Sequence, residues 1–197
     1  MKTKLLKSPN EILSTSTQPV DDITSQVIPW IAPMRTLLSQ SGAVAISANQ
    51  VGHPYRFFVD KTKVYINPTI EILNKETISG QEGCLSLPGG SWICKRYKAI
   101  KLTYETTKGK EESITISLPN KLESIQDQVQ VTRLLSFQHE VDHLNGTLIS
   151  NHGSKVTSSI EVNDEPQIID ARGLPIMSLT ALQARLAREK AAYKPKE

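Results

Sequence analysis

His139-Glu140-Val141-Asp142-His143 spells HExxH. On an α-helix each residue turns by about 100°, so residues four apart lie about 40° apart on one face. His139 and His143 thus aim two imidazoles at one point, the arrangement a divalent metal needs. Glu140 falls farther round and can face a metal-bound water without being a ligand. Two surface histidines and a solvated glutamate would spell the same letters. Random placement of these residues gives the motif in about one such chain in two hundred. The neighbours argue further against chance. On the same helical projection Val131, Leu134, Leu135, Phe137, Val141 and Leu144 occupy much of the circumference, so the helix is largely buried. Buried imidazoles and a buried carboxylate are costly unless paired or metal-bound. Asp142 projects between Leu135 and Val131 on the apolar side, which calls for a buried partner, with Arg96 as the candidate; the alternative is a shifted helix phase with Asp142 in solvent.

The helix is predicted over 125–145, with Asn145-Gly146 as a left-handed stop. Two histidines do not complete a catalytic centre, which takes about three protein ligands. No further histidine follows at the spacing of HExxHxxGxxH, so the third ligand comes from elsewhere in the chain. Cys84, in the small-residue turn Gln81-Glu82-Gly83-Cys84-Leu85-Ser86, is the best candidate. A lone cysteine is more often a small buried hydrophobe. That alternative stays open for Cys84 and is preferred for Cys94, inside the apolar run Trp92-Ile93-Cys94.

Upstream, residues 55–123 read as short strands separated by Gly, Pro, Asn and Lys. Those strands are 56–60, 64–66, 70–73, 92–94, 99–104 and 113–118. Residues 22–40 read as helical with Asp22 as N-cap, although Pro29 and Pro33 oppose one continuous helix. Residues 1–20 read as an extended arm and 150–178 as polar and irregular. Residues 179–193 read as a final helix with Leu179, Leu182 and Leu186 on one stripe. Hydrophobic residues make up 38% of the 197, enough for one core, and the net charge of +3 does not announce a nucleic-acid binder. The longest apolar run, 27–34, is far short of a membrane span and contains two prolines. No secretory leader is read, so the expected location is a reducing cytoplasm.

Three segments together resemble the peptide deformylase family. Ala43-Val44-Ala45-Ile46-Ser47-Ala48-Asn49-Gln50 is similar to GxGLAAxQ, Glu82-Gly83-Cys84-Leu85-Ser86 to EGCLS, and residues 138–146 to QHExDHLxG. Ile66-Asn67-Pro68 adds to the likeness, which covers roughly residues 1–150. The resemblance implies an α+β fold, with mixed or antiparallel sheets wrapped around the HExxH helix and a further C-terminal helix. It implies a catalytic domain at 1–150 and an extension at 151–197. It implies Cys84, His139 and His143 as ligands of one divalent metal, ferrous iron first and nickel, cobalt or zinc as substitutes. One thiolate and two neutral imidazoles leave the site at net +1, which favours bound hydroxide. Glu140 would act as general base and then acid. The Leu85 amide and the Gln50 side chain would hold the oxyanion. Val44, Ala45 and Gly83 would bind substrate, the N-formylmethionyl end of a nascent peptide. Glu82 would orient a ligating imidazole, with Asp142 and Arg96 behind it.

Ala43 and Ala45 stand where that motif has glycines, so the substrate mouth is expected to differ. Residues 179–197 carry five basic and two acidic side chains; the resemblance offers docking at the ribosome, as in some relatives, and a solvated helix packing its leucine stripe on the domain is the preferred reading. Two other readings are an HExxH peptidase of another fold, with no use for Cys84, and a metal-binding relative without activity.

Overall fold

The computed structural model describes residues 3–122, 124–156, 167–169 and 175–178. The predicted C-terminal helix therefore lies outside the described residues. The arm is extended apart from a 3-10 turn at Glu11–Ser14, capped by the Asn10 side chain. The helical segment read over 22–40, with its prolines set against one continuous helix, is two helices. Asp22 caps α1 (Ile23–Gln26), accepting from the amides of Thr24 and Ser25, and the chain breaks at Val27. Helix α2 (Ile28–Ser41) then carries Pro29 in its first turn, where a missing N–H costs nothing, and tolerates Pro33 inside.

Five strands form one antiparallel sheet: β1 (Ala45–Ser47), β2 (Phe57–Asp60), β3 (Val64–Ile72), β6 (Ala99–Glu105) and β7 (Glu111–Ser117), in the order β1-β2-β3-β6-β7. The two runs predicted at 64–66 and 70–73 are the single strand β3. Its pairing with β6 shifts register between Ile66 and Thr69, across Asn67-Pro68. A second sheet holds β4 (Thr77–Cys84), β5 (Leu87–Tyr97) and β8 (Ser154–Lys155), in the order β4-β5-β8. Cys84 is therefore the last residue of a strand rather than part of a turn beyond one. Strands β9 (Gln167–Ile169) and β10 (Pro175–Ser178) pair antiparallel, and α4 (Ile149–His152) precedes β8. The segment expected to be irregular thus contains short regular pieces. Each piece is only two to four residues long, too short to carry a periodic signal.

Alternation along β2 sends Phe58 to one face of the large sheet and Phe57 and Val59 to the other. On the second face α2 packs Met34 and Leu38 against Phe57, Val59, Val64 and Ile66. On the first face lies α3 (Ile125–Leu144), started by a reciprocal Ser124–Asp127 capping box. Phe58 stacks on Tyr65 with ring centres 4.4 Å apart, and Tyr65 meets Phe137 of α3 edge-on at 5.3 Å. The second sheet covers another side of α3. A Cβ on Gly80 of β4 would come within 2.7 Å of the Leu135 side chain, which would have to shift to admit it. Gln138 of α3 exchanges two hydrogen bonds with the backbone of Tyr97 in β5. The helix ends as its sequence predicts, with Gly146 left-handed at φ 73°. A Cβ there would also strike the backbone of Ser14 and Thr15 at 2.8 Å, so the arm lies directly over the helix end.

The arm reaches all three segments that carried the family likeness. The Leu6 amide donates to Gln50 O at 2.8 Å, the Ser8 amide to Ser86 O at 2.9 Å and the Thr17 amide to Leu144 O at 2.9 Å. Lys7 Nζ donates to Leu85 O at 2.6 Å.

Candidate metal centre

Helix α3 presents His139 and His143 from one buried face, and β4 delivers Cys84 beside them. The Cys84 sulfur and one ring nitrogen from each histidine all lie within 4.8 Å of one another. Cys84 Sγ stands 3.2 Å from His143 Nε2. A thiolate and two imidazoles, buried and convergent, form a donor set suited to a borderline divalent ion such as iron, zinc, nickel or cobalt. The residues present therefore fit a metal.

Behind the donors lies a chain of charges. His139 Nδ1 meets Glu82 Oε2 at 2.8 Å, which leaves Nε2 for the centre. Arg96 grips the same carboxylate through two nitrogens, Nε to Oε1 at 2.6 Å and Nη2 to Oε2 at 2.9 Å. Arg96 Nη1 then reaches Asp142 Oδ2, which also meets His152 Nε2 at 3.2 Å. Burial opposes ionisation of Glu82, yet the Arg96 and His139 contacts prevail and pull its pKa down to about 2. Asp142 has the Arg96 partner assigned from the sequence, but its side chain is 27% exposed rather than buried. It sits at the rim of the apolar stripe, where His152 and solvent share it.

Glu140 is buried, and burial raises its carboxyl pKa. Its Oε2 accepts from the hydroxyl of Ser47. Burial lowers the proton affinity of His143 well below the imidazole norm, and the positive charge of His139 and Arg96 adds to that. A neutral ring is the form that ligates.

Gln50 is buried, and its amide is oriented at both ends. Oε1 accepts from the Ser47 amide at 3.0 Å, so Nε2 faces Ser86 Oγ at 3.2 Å and Cys84 Sγ at 3.8 Å. Leu85 immediately follows Cys84 in the turn between β4 and β5. Val44 is exposed, Ala45 opens β1 at the edge of the large sheet, and Gly83 is exposed with open space over its Cα. Cys94 is fully buried in the same core cluster as Cys84 but is not one of the converging donors, and burial lifts its thiol to about 12, as expected of an inert core sulfur.

Three residues of this region escaped the sequence reading: Ser47, Asn49 and Ser86. All are buried, and Asn49 Nδ2 donates to His143 O. Ser47 and Asn49 lie inside the Ala43–Gln50 segment, so their position was the one signal available.

A helix carrying HExxH, a cysteine at the end of an adjoining strand and a buried amide beside both define a class: single-metal hydrolases with a Cys-His-His centre. The family of polypeptide deformylase matches residues 2–159. The peptide deformylase of Borreliella burgdorferi is 33% identical over 150 residues, covering 73% of this chain and 83% of that protein. The crystal structure of peptide deformylase from Thermotoga maritima aligns with a TM-score of 0.66 at 29% identity, covering 77% of this chain and 97% of that one. The enzyme of the Vibrio parahaemolyticus bacteriophage VP16T, solved in complex with actinonin, aligns at 25% identity with a TM-score of 0.62, covering 74% of this chain and 99% of that one. The chain belongs to the polypeptide deformylase family. Among the described residues no helix is long and apolar enough to cross a membrane.

Proposed function

We infer that this chain hydrolyses the formyl amide at the N-terminal formyl-methionine of nascent polypeptides, releasing formate and a free amine. The observation that carries the reading is the convergence of the Cys84, His139 and His143 donors beside the buried carboxylate of Glu140. We assign those three residues as ligands of a divalent ion, ferrous iron first. When bound, such an ion supplies Lewis acidity, activating water and polarising a carbonyl.

The chain's own residues divide the rest. Glu140 takes the proton from the attacking water and passes it to the amine nitrogen as the C–N bond breaks. The Gln50 amide, held with Nε2 forward, and the Leu85 N–H donate to the oxyanion that forms on the formyl oxygen. Glu82 fixes the His139 ring, Arg96 fixes Glu82, and Asp142 supports Arg96 from the rim. The peptide lies along Val44, Ala45 and Gly83, using the free edge of β1 to add a strand. The bacteriophage relative, solved in complex with actinonin, supports a ligand-binding site at this place.

Anaerobically purified protein is expected to carry about one equivalent of metal and to release formate from a formyl-Met peptide. Cys84→Ala is expected to lose both. Retained metal and rate in that variant would remove the thiolate from the centre and reopen the peptidase reading.

We place the enzyme in the cytoplasm, with residues 1–150 as the catalytic unit and sheets wrapped about its HExxH helix. Residues 151–197 are then an extension that ends in a basic helix. The excess of basic side chains over residues 179–197 supports phosphate contacts at the ribosome. Removing 179–197 is expected to weaken ribosome co-sedimentation at low salt and to have no effect at high salt. Unchanged low-salt binding would make that helix a packing element instead.

A further inference from the structure

Ser47 closes β1 and enters the 3-10 turn that carries Gln50. The residue is fully buried. Its hydroxyl donates to Glu140 Oε2 and lies 3.0 Å from the Glu140 main-chain oxygen. Its amide donates to Gln50 Oε1 at 3.0 Å. One residue thus holds two groups that act at opposite ends of the reaction, the carboxylate that moves the proton and the amide that meets the oxyanion. In the motif quoted above an alanine stands at this place, which keeps the amide contact and lacks the hydroxyl.

We propose that Ser47 is a positioning residue for deformylation: its hydroxyl fixes the rotation of the Glu140 carboxylate, while its backbone fixes the Gln50 amide. A carboxylate on a free torsion samples many orientations, since the terminal torsion of Glu is broad. Tethering Oε2 removes that freedom and leaves the other oxygen to serve the water. The pleat of β1 sets the direction of the hydroxyl, because Ser47 pairs with Phe58 of β2 in the sheet. The base is thereby referenced to the sheet as well as to its own helix. A small misplacement of a reacting group can cost about a hundredfold in rate.

The proposal rests on Glu140 as base, and a double-mutant cycle separates the two claims. Ser47→Ala deletes the hydroxyl and keeps the amide that holds Gln50. In the metal-loaded enzyme it is expected to lower kcat for a formyl-Met peptide by about ten- to a hundredfold with KM within about twofold. Metal content by elemental analysis is expected to be unchanged. Ser47→Thr, which keeps the hydroxyl, is expected to recover most of kcat. In a Glu140→Ala background, Ser47→Ala is expected to change the residual rate by less than about twofold. An unchanged kcat in Ser47→Ala, or an equal loss in both backgrounds, would overturn the positioning role. A full rate in Glu140→Ala alone would instead overturn the base assignment on which it rests.

Discussion

Glu140→Gln is expected to lower formate release by a factor on the order of 10²–10⁴, the usual worth of a positioned acid–base group. The amide keeps the volume of the side chain, and its oxygen can still accept from Ser47. What it cannot do is take a proton from water and return it to the departing amine. The three ligand residues are untouched, so elemental analysis is expected to find the wild-type metal content. Thermal stability is expected to hold or rise. A carboxylate buried this deeply raises its own pKa because the interior disfavours its charge, and glutamine removes that cost. Lost rate with unchanged metal and an unchanged or higher Tm is the signature sought. A variant that loses its metal would show Glu140 to be part of the scaffold of the centre rather than its base.

Glu82→Gln is expected to produce the largest loss of stability. Glu82 and Arg96 are both buried and joined by two hydrogen bonds, so removing the carboxylate strands a guanidinium. Breaking such a pair costs about 3–5 kcal/mol. In a chain of this size that lowers Tm by roughly 10 °C. Asp142 cannot replace the lost charge, because it holds one edge of Arg96 from a partly exposed position. Metal affinity is expected to fall about 10–100-fold as the His139 ring loses its anchor. The same residue governs acid sensitivity. Its folded-state pKa of about 2 lies below the ordinary 4.5, so the stabilisation it provides is complete above the ordinary value. That stabilisation disappears as pH falls from there toward 2. Urea titrations of metal-free protein between pH 6 and 3 are expected to show this decline in the wild type and a flatter profile in Glu82→Gln. Parallel profiles would place the acid-sensitive group elsewhere.

The HExxH helix was legible because helical spacing, apolar surroundings and a glycine stop all agree over residues 125–146. The central strands were legible too: β6 alternates large apolar residues with polar ones, and β2 is a short apolar run buried on both faces. Strand β4 was not. Thr77–Cys84 has Ile78 as its one large aliphatic residue and two glycines, so its strand character comes from the ladder with β5. Reading Cys84 as a turn residue follows from that. Pairing Asp142 with Arg96 was within reach of the sequence, because a helical wheel flags a misplaced acid. Its degree of exposure was not, because it depends on how far β5 and α4 extend over the rim. Ser47 and Asn49 were invisible for another reason. Short polar side chains in an irregular segment carry no periodic signal, and what they hold lies more than ninety residues away.

The strap formed by residues 6–17 has a consequence for synthesis. It is made before its anchors at Gln50, Ser86 and Leu144, the last of them 127 residues downstream. Closing so wide a loop is entropically expensive and slow compared with local helix formation. The strap therefore cannot close until the final turn of α3 has been made.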